Sequence, residues 1–165
     1  MNFFKPKKNN IPYGRQKVTR EDIRSVVKVL KSDFITQGPI VPEFENELCG
    51  TVKSKYAIAV NSATSALHLA CLSLGLGPGD WLWTSSNTFV ASANCGIYCG
   101  AKVDFVDIDL ETGNMSIKKL KQKLSLAKAE SKLPKIIVPV HLSGSSCDMK
   151  AIKDLSKIYG FSIIE

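Results

Sequence analysis

The sequence of 165 residues predicts an α/β fold, a mostly parallel sheet with helices packed on its faces. Two observations carry this. Short runs rich in β-branched and aromatic residues alternate five times with longer stretches of helical period, joined by loops of ordinary length. The run Tyr56-Ala-Ile-Ala-Val60 stops at a loop of small polar residues, Asn61 to Ser65, that opens directly into an apolar periodic stretch.

In chain order, residues 1–18 are basic, contain proline and show no period, and so predict an extended arm. Thr19-Arg-Glu-Asp22 is a capping box in its Asp form. Ile23, Val26, Val27 and Leu30 follow at i, i+3, i+4 and i+7, which predicts a helix over 20–31. A Gly-Pro turn ends the following segment at Gly38-Pro39. A second amphipathic helix then carries Val41, Phe44, Leu48 and Val52. Residues 56–60 predict a buried strand, and Leu67, Ala70, Cys71 and Leu74 mark a helix over 64–74. The glycine-rich Gly75 to Asp80 follows a helix rather than a strand and lacks G-x-G-x-x-G spacing. It therefore predicts a helix-ending turn and not a dinucleotide loop.

Trp81 to Thr84 predicts a strand, Ser85 to Phe89 a loop, and the next stretch a helix to about residue 98. Lys102 to Asp107 alternates as a strand. After a turn at Gly113-Asn114, Ile117, Leu120, Leu124 and Ala127 mark a helix. Lys135 to Val140 predicts a strand and His141 to Asp148 a loop. Met149, Ile152 and Leu155 mark a helix, and Phe161 to Glu165 a last strand.

Ligands of parallel sheets bind beyond the carboxyl ends of the strands. Three loops are predicted there, 61–65, 84–89 and 141–147, offering hydroxyls, amides, one aromatic and one histidine. A helix that opens with small residues exposes backbone N–H groups at its positive end and can hold a phosphate. Ser62, Ala63, Thr64 and Ser65 suit that use. They equally suit an ordinary N-cap, and the stretch alone does not decide. Phe89, the aromatic of the second loop, reads by its position as a core residue at a helix start. His141 reads as a ligand contact or a structural histidine, and His68, inside a helix, as structural.

Composition narrows the function classes. Apolar residues make up 44% and charged residues 22%, ordinary values for a globular protein. The net charge of +7 comes mostly from lysines on helix faces and in the N-terminal arm. No nucleic-acid motif accompanies it, so a solvated surface or attraction of small anionic substrates is favoured over nucleic acid. The five cysteines include no C-x-x-C, and Cys95 and Cys99 sit on an apolar helical face, which predicts free thiols rather than metal ligands. No signal-peptide pattern and no run of membrane length is present, so a cytoplasmic protein without membrane attachment is expected.

Several segments, taken together, resemble one family. Asp33-Phe-Ile-Thr-Gln-Gly-Pro39 with Phe44-Glu45, Asn61 to His68, Asn87 to Asn94, Gly100 to Asp109, and His141-Leu-Ser-Gly144 with Asp148-Met149 occur in family order from Tyr13 onward. They resemble the DegT/StrS family of nucleotide-sugar aminotransferases. The resemblance implies the pyridoxal phosphate (PLP)-dependent transferase fold of the aspartate-aminotransferase type. Within the family the sequence looks most like enzymes that aminate C4 of a UDP-linked 4-keto-6-deoxy-N-acetylhexosamine, as in pseudaminic acid synthesis. PLP is the implied cofactor, a nucleotide sugar the acceptor, glutamate the usual amino donor, and a homodimer the assembly.

The same resemblance assigns roles by position. Thr64 and Ser65 would hold the cofactor phosphate and Phe89 would stack on its ring. Tyr13, Asp33, Phe34, Ile35, Thr36 and Ala63 match positions lining the sugar-nucleotide pocket. Residues 19–165 correspond to the N-terminal portion of the large cofactor-binding domain. The pyridinium-pairing Asp and the Schiff-base lysine of the family fall beyond Glu165, so no catalytic residue is assigned, and neither Lys102 nor Lys135 is given the lysine's role. These residues alone are expected not to transaminate, and to expose a sheet edge and an apolar surface. Two alternatives stay open: a dehydratase of the same family, in which histidine replaces the lysine, and a non-catalytic sugar-nucleotide-binding remnant.

Overall fold

The computed structural model describes residues 14–165. The chain divides into two compact units, one ending at Ala59 and the other running from Val60 to Glu165.

In the first unit, α1 spans Arg20–Leu30 and α2 spans Ile40–Val52. The expected capping box is present: the Asp22 N–H donates to Thr19 Oγ1 (3.2 Å) and the Thr19 N–H to Asp22 Oδ2 (2.6 Å). These bonds to Thr19 hold the Asp22 carboxyl below the usual aspartate value. The apolar stripe of α1 (Ile23, Val26, Val27, Leu30) is exposed. Beyond α2, the segment over 56–60 departs from expectation. It joins no ladder among the described residues, and Tyr56 and Ile58 are 74% and 80% exposed. Side-chain alternation marks a chain suited to a sheet, but a strand also needs a partner for its N–H and C=O groups. The segment's hydrogen bonds go to side chains instead: Ser54 Oγ donates to Tyr56 O (3.0 Å), and the Ala59 N–H donates to Glu45 Oε1 on α2 (2.7 Å).

The second unit holds α3 (Ala63–Ser73), β1 (Trp81–Ser85), α4 (Ala91–Tyr98), β2 (Lys102–Val106), α5 (Ile117–Ala129), β3 (Ile136–Val138), α6 (Met149–Tyr159) and β4 (Ser162–Ile163). The four strands form one parallel sheet in the order β2-β1-β3-β4. Each connection between successive strands contains a helix, as parallel pairing requires. Trp81 lies opposite Lys102, Leu82 opposite Ile136, and Ile136 opposite Ser162.

Strand alternation builds two cores. Trp83 and Ile137 face Leu120, Leu124, Ile152, Leu155 and Phe161 from α5, α6 and the start of the last strand. Their neighbours Leu82, Ile136 and Val138 face Cys71, Cys95 and Cys99 from α3 and α4. The sheet is thus covered on both faces, which explains why β1 and β3 read as continuous apolar runs. Gly96 sets how closely α4 approaches: a Cβ there would lie 2.9 Å from Val103 Cγ2 and 3.1 Å from Leu82 Cβ.

The turn before β1 is stapled by Lys135, whose ammonium donates to Gly75 O (2.6 Å) and to Asp80 Oδ2 (2.8 Å). The Asp80 carboxylate also accepts from the Gly77 N–H (3.0 Å). Chiefly through the Lys135 hydrogen bond, Asp80 is held below the usual carboxylate value.

Candidate functional site

The first turn of α3 is an N-capped helix opening, and its hydrogen bonds show which groups are free among the described residues. Ser62 is the N-cap, and its Oγ accepts from the Ser65 N–H (3.2 Å). Ser65 Oγ donates to Asn61 Oδ1 (2.7 Å) and lies 3.1 Å from Ser62 Oγ. The N-cap is therefore present, and it engages Ser62 and Ser65 while leaving other first-turn groups open. Among the described residues, the Ala63 and Thr64 N–H groups and the Thr64 hydroxyl make no hydrogen bond, whereas the Ser65 hydroxyl is engaged with Asn61. Two free N–H groups beside a free hydroxyl, at the positive end of a helix of 11 residues, are chemically suited to a phosphate.

The second loop leaves the carboxyl end of β1. Thr84 Oγ1 donates to Val138 O (2.9 Å), tying β1 to β3 just where the loop begins. Ser85 is 1% exposed and its hydroxyl has no partner among the described residues. Thr88 Oγ1 donates to Ser92 Oγ (2.9 Å), closing the first turn before α4. Phe89 is 75% exposed. This excludes the core reading of that residue within this unit. A large aromatic placed on the surface at a helix start, beside a tightly built strand end, is available to cover a flat ligand.

The third loop follows β3 and is built for rigidity. Asn114, 5% exposed, donates from Nδ2 to Ser145 O (3.0 Å) and Ser146 O (3.2 Å), and its Oδ1 accepts from the Leu142 N–H (3.0 Å). His141 Nδ1 accepts from the Cys147 N–H (3.0 Å), so its proton lies on Nε2, which points to Glu165 Oε2 at 3.2 Å. Both ring nitrogens are satisfied, and His141 takes the structural reading. His68 also does, packing edge-on against Tyr98 at 5.4 Å. Gly113 needs its positive φ of 70°, and a Cβ there would lie 2.5 Å from Leu142 Cδ2.

Of the residues singled out in the sequence, Ala63, Thr64, Ser65 and Phe89 lie at the openings of α3 and α4, two helices that pack on each other in one core. Asp33, Phe34, Ile35 and Thr36 form an exposed segment between α1 and α2 in the first unit, where Ser32 Oγ donates to Phe34 O (3.0 Å). Tyr13 lies outside the described residues. The 84–89 and 141–147 loops occupy strand carboxyl ends as expected. The 61–65 loop does not follow a strand, because 56–60 forms none.

The buried clamp at Asn114 was missed in the sequence, which read Gly113-Asn114 only as a turn. Its partners lie 28 to 32 residues away, beyond any local signal. The orphaned Ser85 hydroxyl gave no sequence signal at all. Lys102 and Lys135 are both committed elsewhere, Lys102 over the Trp81 ring at 5.4 Å and Lys135 to Gly75 and Asp80. Among the described residues no group of three or more His, Cys, Asp or Glu side chains is placed to hold a metal ion. No helix among them is long and apolar enough to cross a membrane.

Residues 16–165 match the model of the DegT/DnrJ/EryC1/StrS aminotransferase family. The chain is 40% identical over 155 residues to the spore coat polysaccharide biosynthesis protein SpsC of Bacillus subtilis, covering 94% of this chain and 38% of that protein. Among solved structures it is similar to Helicobacter pylori PseC, an aminotransferase involved in the biosynthesis of pseudoaminic acid. The TM-score is 0.82 at 30% identity, covering 92% of this chain and 40% of the other. A Streptococcus pneumoniae protein in its PLP-form matches with a TM-score of 0.80 at 30% identity, over 94% of this chain and 39% of the other. The chain therefore spans about two-fifths of the length of these relatives. With a matching family model over nearly all of its residues and the parallel sheet that the family's structures share, the chain belongs to the DegT/DnrJ/EryC1/StrS aminotransferase family.

Proposed function

We propose that this chain is the cofactor-phosphate and substrate-recognising portion of a PLP-dependent nucleotide-sugar aminotransferase. The observation that carries the reading is the opening of α3, where the Ala63 and Thr64 N–H groups and the Thr64 hydroxyl are free beside Ser65. These residues fit the cofactor's phosphate, and the exposed Phe89 fits a planar ring. When bound, PLP supplies the electron sink that lets an amino group move between carbon atoms. The chain's own residues would do the holding. The Ala63 and Thr64 N–H groups and the Thr64 hydroxyl would donate to the phosphate, with the Ser65 hydroxyl, now on Asn61, beside them. The exposed Phe89 would pack against the planar ring and exclude water from it.

The substrate proposed is a UDP-linked 4-keto-6-deoxy-N-acetylhexosamine, with glutamate as donor. Its product would serve a surface polysaccharide or nonulosonic acid. Support comes from the likeness to PseC and SpsC and from the Asp33–Thr36 segment that resembles the family's substrate-lining positions. The protein is expected to work as a homodimer.

The test incubates the full-length protein with PLP, nitrogen-labelled glutamate and the keto sugar nucleotide. Labelled nitrogen in the sugar supports the proposal. A sugar that loses its hydroxyl and gains no nitrogen would establish a dehydratase instead. Binding of the sugar nucleotide with neither change would establish a non-catalytic role.

A further inference from the structure

We propose that Lys123 on α5 and Asp104 on β2 form an edge guard that keeps a strand of a second copy of this chain from pairing with β2. β2 stands at the end of the sheet order and, among the described residues, pairs only with β1. A free sheet edge invites another chain. The run Lys102-Val-Asp-Phe-Val106 is of the kind that pairs readily, with β-branched and aromatic residues and no proline. Phe105 is about half exposed and adds an apolar surface beside that edge.

The ladder fixes which backbone groups face outward. At its two ends the Lys102 N–H donates to Asp80 O (2.9 Å) and the Ser86 N–H to Val106 O (3.0 Å). In a parallel pair such bonds use every second residue of a strand. The groups of Lys102, Asp104 and Val106 therefore face β1, and those of Val103 and Phe105 face away from it. At Phe105 both outward groups are taken by side chains. Its N–H donates to Asp104 Oδ1 (2.8 Å), and its C=O accepts from the Lys123 ammonium (2.5 Å). The same ammonium lies 2.6 Å from Asp104 Oδ2, which ties the two guards to each other. The outward positions beyond are engaged as well: the Ala101 N–H donates to Gly96 O (3.0 Å), and Asp107 O accepts from the Ser116 N–H (3.0 Å). Within β2, Val103 alone keeps an outward N–H and C=O without a partner among the described residues. An incoming strand finds open groups at a single residue, where a ladder needs a succession of them.

Lys123 is held where it can act in this way. Leu120 and Leu124, on either side of it along α5, are fully buried in the core. The ammonium lies 4.8 Å from the centre of the buried Trp83 ring, and a cation over an indole face is attracted to it. The two side chains thus supply at Phe105 the donor and the acceptor that a neighbouring strand would bring. To pair there, an incoming strand has to break both bonds and draw the Lys123–Asp104 ion pair off the backbone, a cost that a bare edge does not impose.

The experiment compares full-length wild type, Lys123→Met and Lys123→Arg by sedimentation velocity over a concentration series, together with amide hydrogen exchange over Lys102–Val106. Methionine keeps the side-chain length and the packing over Trp83 but removes the charge and the donor, whereas arginine keeps both. Wild type and Lys123→Arg should hold one association state across the series. Lys123→Met should form larger, concentration-dependent assemblies in which the Val103 amide exchanges at least about tenfold more slowly than in wild type. Asp104→Ala, which frees the Phe105 N–H instead of its C=O, should assemble through the same strand. Wild-type association of both Lys123→Met and Asp104→Ala would overturn the proposal. So would assemblies in which residues 102–106 exchange as fast as in wild type, since association would then run through another surface.

Discussion

Replacing Asn114 by alanine probes the 141–147 loop most directly. The side chain makes three hydrogen bonds, at 3.0, 3.2 and 3.0 Å, from a position only 5% exposed. Each such bond contributes about 0.5–1.5 kcal/mol net, so the raw sum is about 1.5–4.5 kcal/mol. Ser145 and Ser146, whose carbonyls accept two of them, are exposed, and water replaces those two bonds at little cost. The Leu142 N–H is only part-exposed and loses its acceptor outright. An opening free energy lower by about 2 kcal/mol follows for this loop. At about 1.4 kcal/mol per tenfold, that is roughly 30-fold faster exchange of the Leu142 amide proton. Native-state hydrogen exchange on the full-length protein reads this without requiring two-state unfolding. Asn114→Asp keeps the acceptor for Leu142 but sets a carboxylate against two carbonyl oxygens, and should open the loop at least as readily. Leu142 exchange unchanged within about twofold in Asn114→Ala would refute the clamp.

Four further outcomes are expected. Gly113→Ala combines a strained φ of 70° with a Cβ 2.5 Å from Leu142 Cδ2, and should destabilise the loop by more than about 1 kcal/mol; Leu142→Ala added to it should restore part of the loss in the same exchange assay. Asp80, held below its ordinary pKa by Lys135, contributes stability that is full above about pH 4 and is lost as pH falls through its lowered folded value. The stability gap between wild type and Asp80→Asn, measured by urea unfolding, should therefore be constant from pH 7 to about pH 5 and close at lower pH. Ser62→Ala removes an N-cap and should cost about 1 kcal/mol in the same unfolding measurement. Thr64→Val and Phe89→Ala should each weaken PLP binding by full-length protein, read by dialysis and absorbance, with the fold intact by circular dichroism. For Phe89 a loss of roughly 3- to 10-fold is expected, in line with the extra strength of aromatic stacking.

How legible the protein was depended on the range of the interactions involved. Periodicity placed all six helices, and the two given full bounds, 20–31 and 64–74, match α1 and α3 to within a residue or so, because a helix writes its apolar face at three- and four-residue spacing whether or not that face is covered. The capping box at Thr19 and the N-cap at Ser62 are likewise local, since a side chain and an N–H three residues on suffice. The strands were read correctly as short apolar runs over 81–84, 102–107, 135–140 and 161–165, though three of the four pair over fewer residues than the runs suggest. The run over 56–60 has the same composition but forms no strand. Composition supplies a strand's side chains, and only a neighbouring chain completes its hydrogen bonds.

The site divides in the same way. The sequence by itself determined the chemistry on offer, namely a small-residue helix opening with Thr64 and Ser65, an aromatic at Phe89, and the family order of its motifs. It could not say which of those groups are free. In the fold the Thr64 hydroxyl is unpaired among the described residues while Ser65 is bound to Asn61 four residues before it, and Phe89 lies on the surface instead of in a core. Tertiary structure also brought Asn114 under a loop about 30 residues away and set Glu165 against His141 from 24 residues on. Those pairings join residues far apart in the chain, so they exist only once the sheet and its two helical layers have fixed their distances.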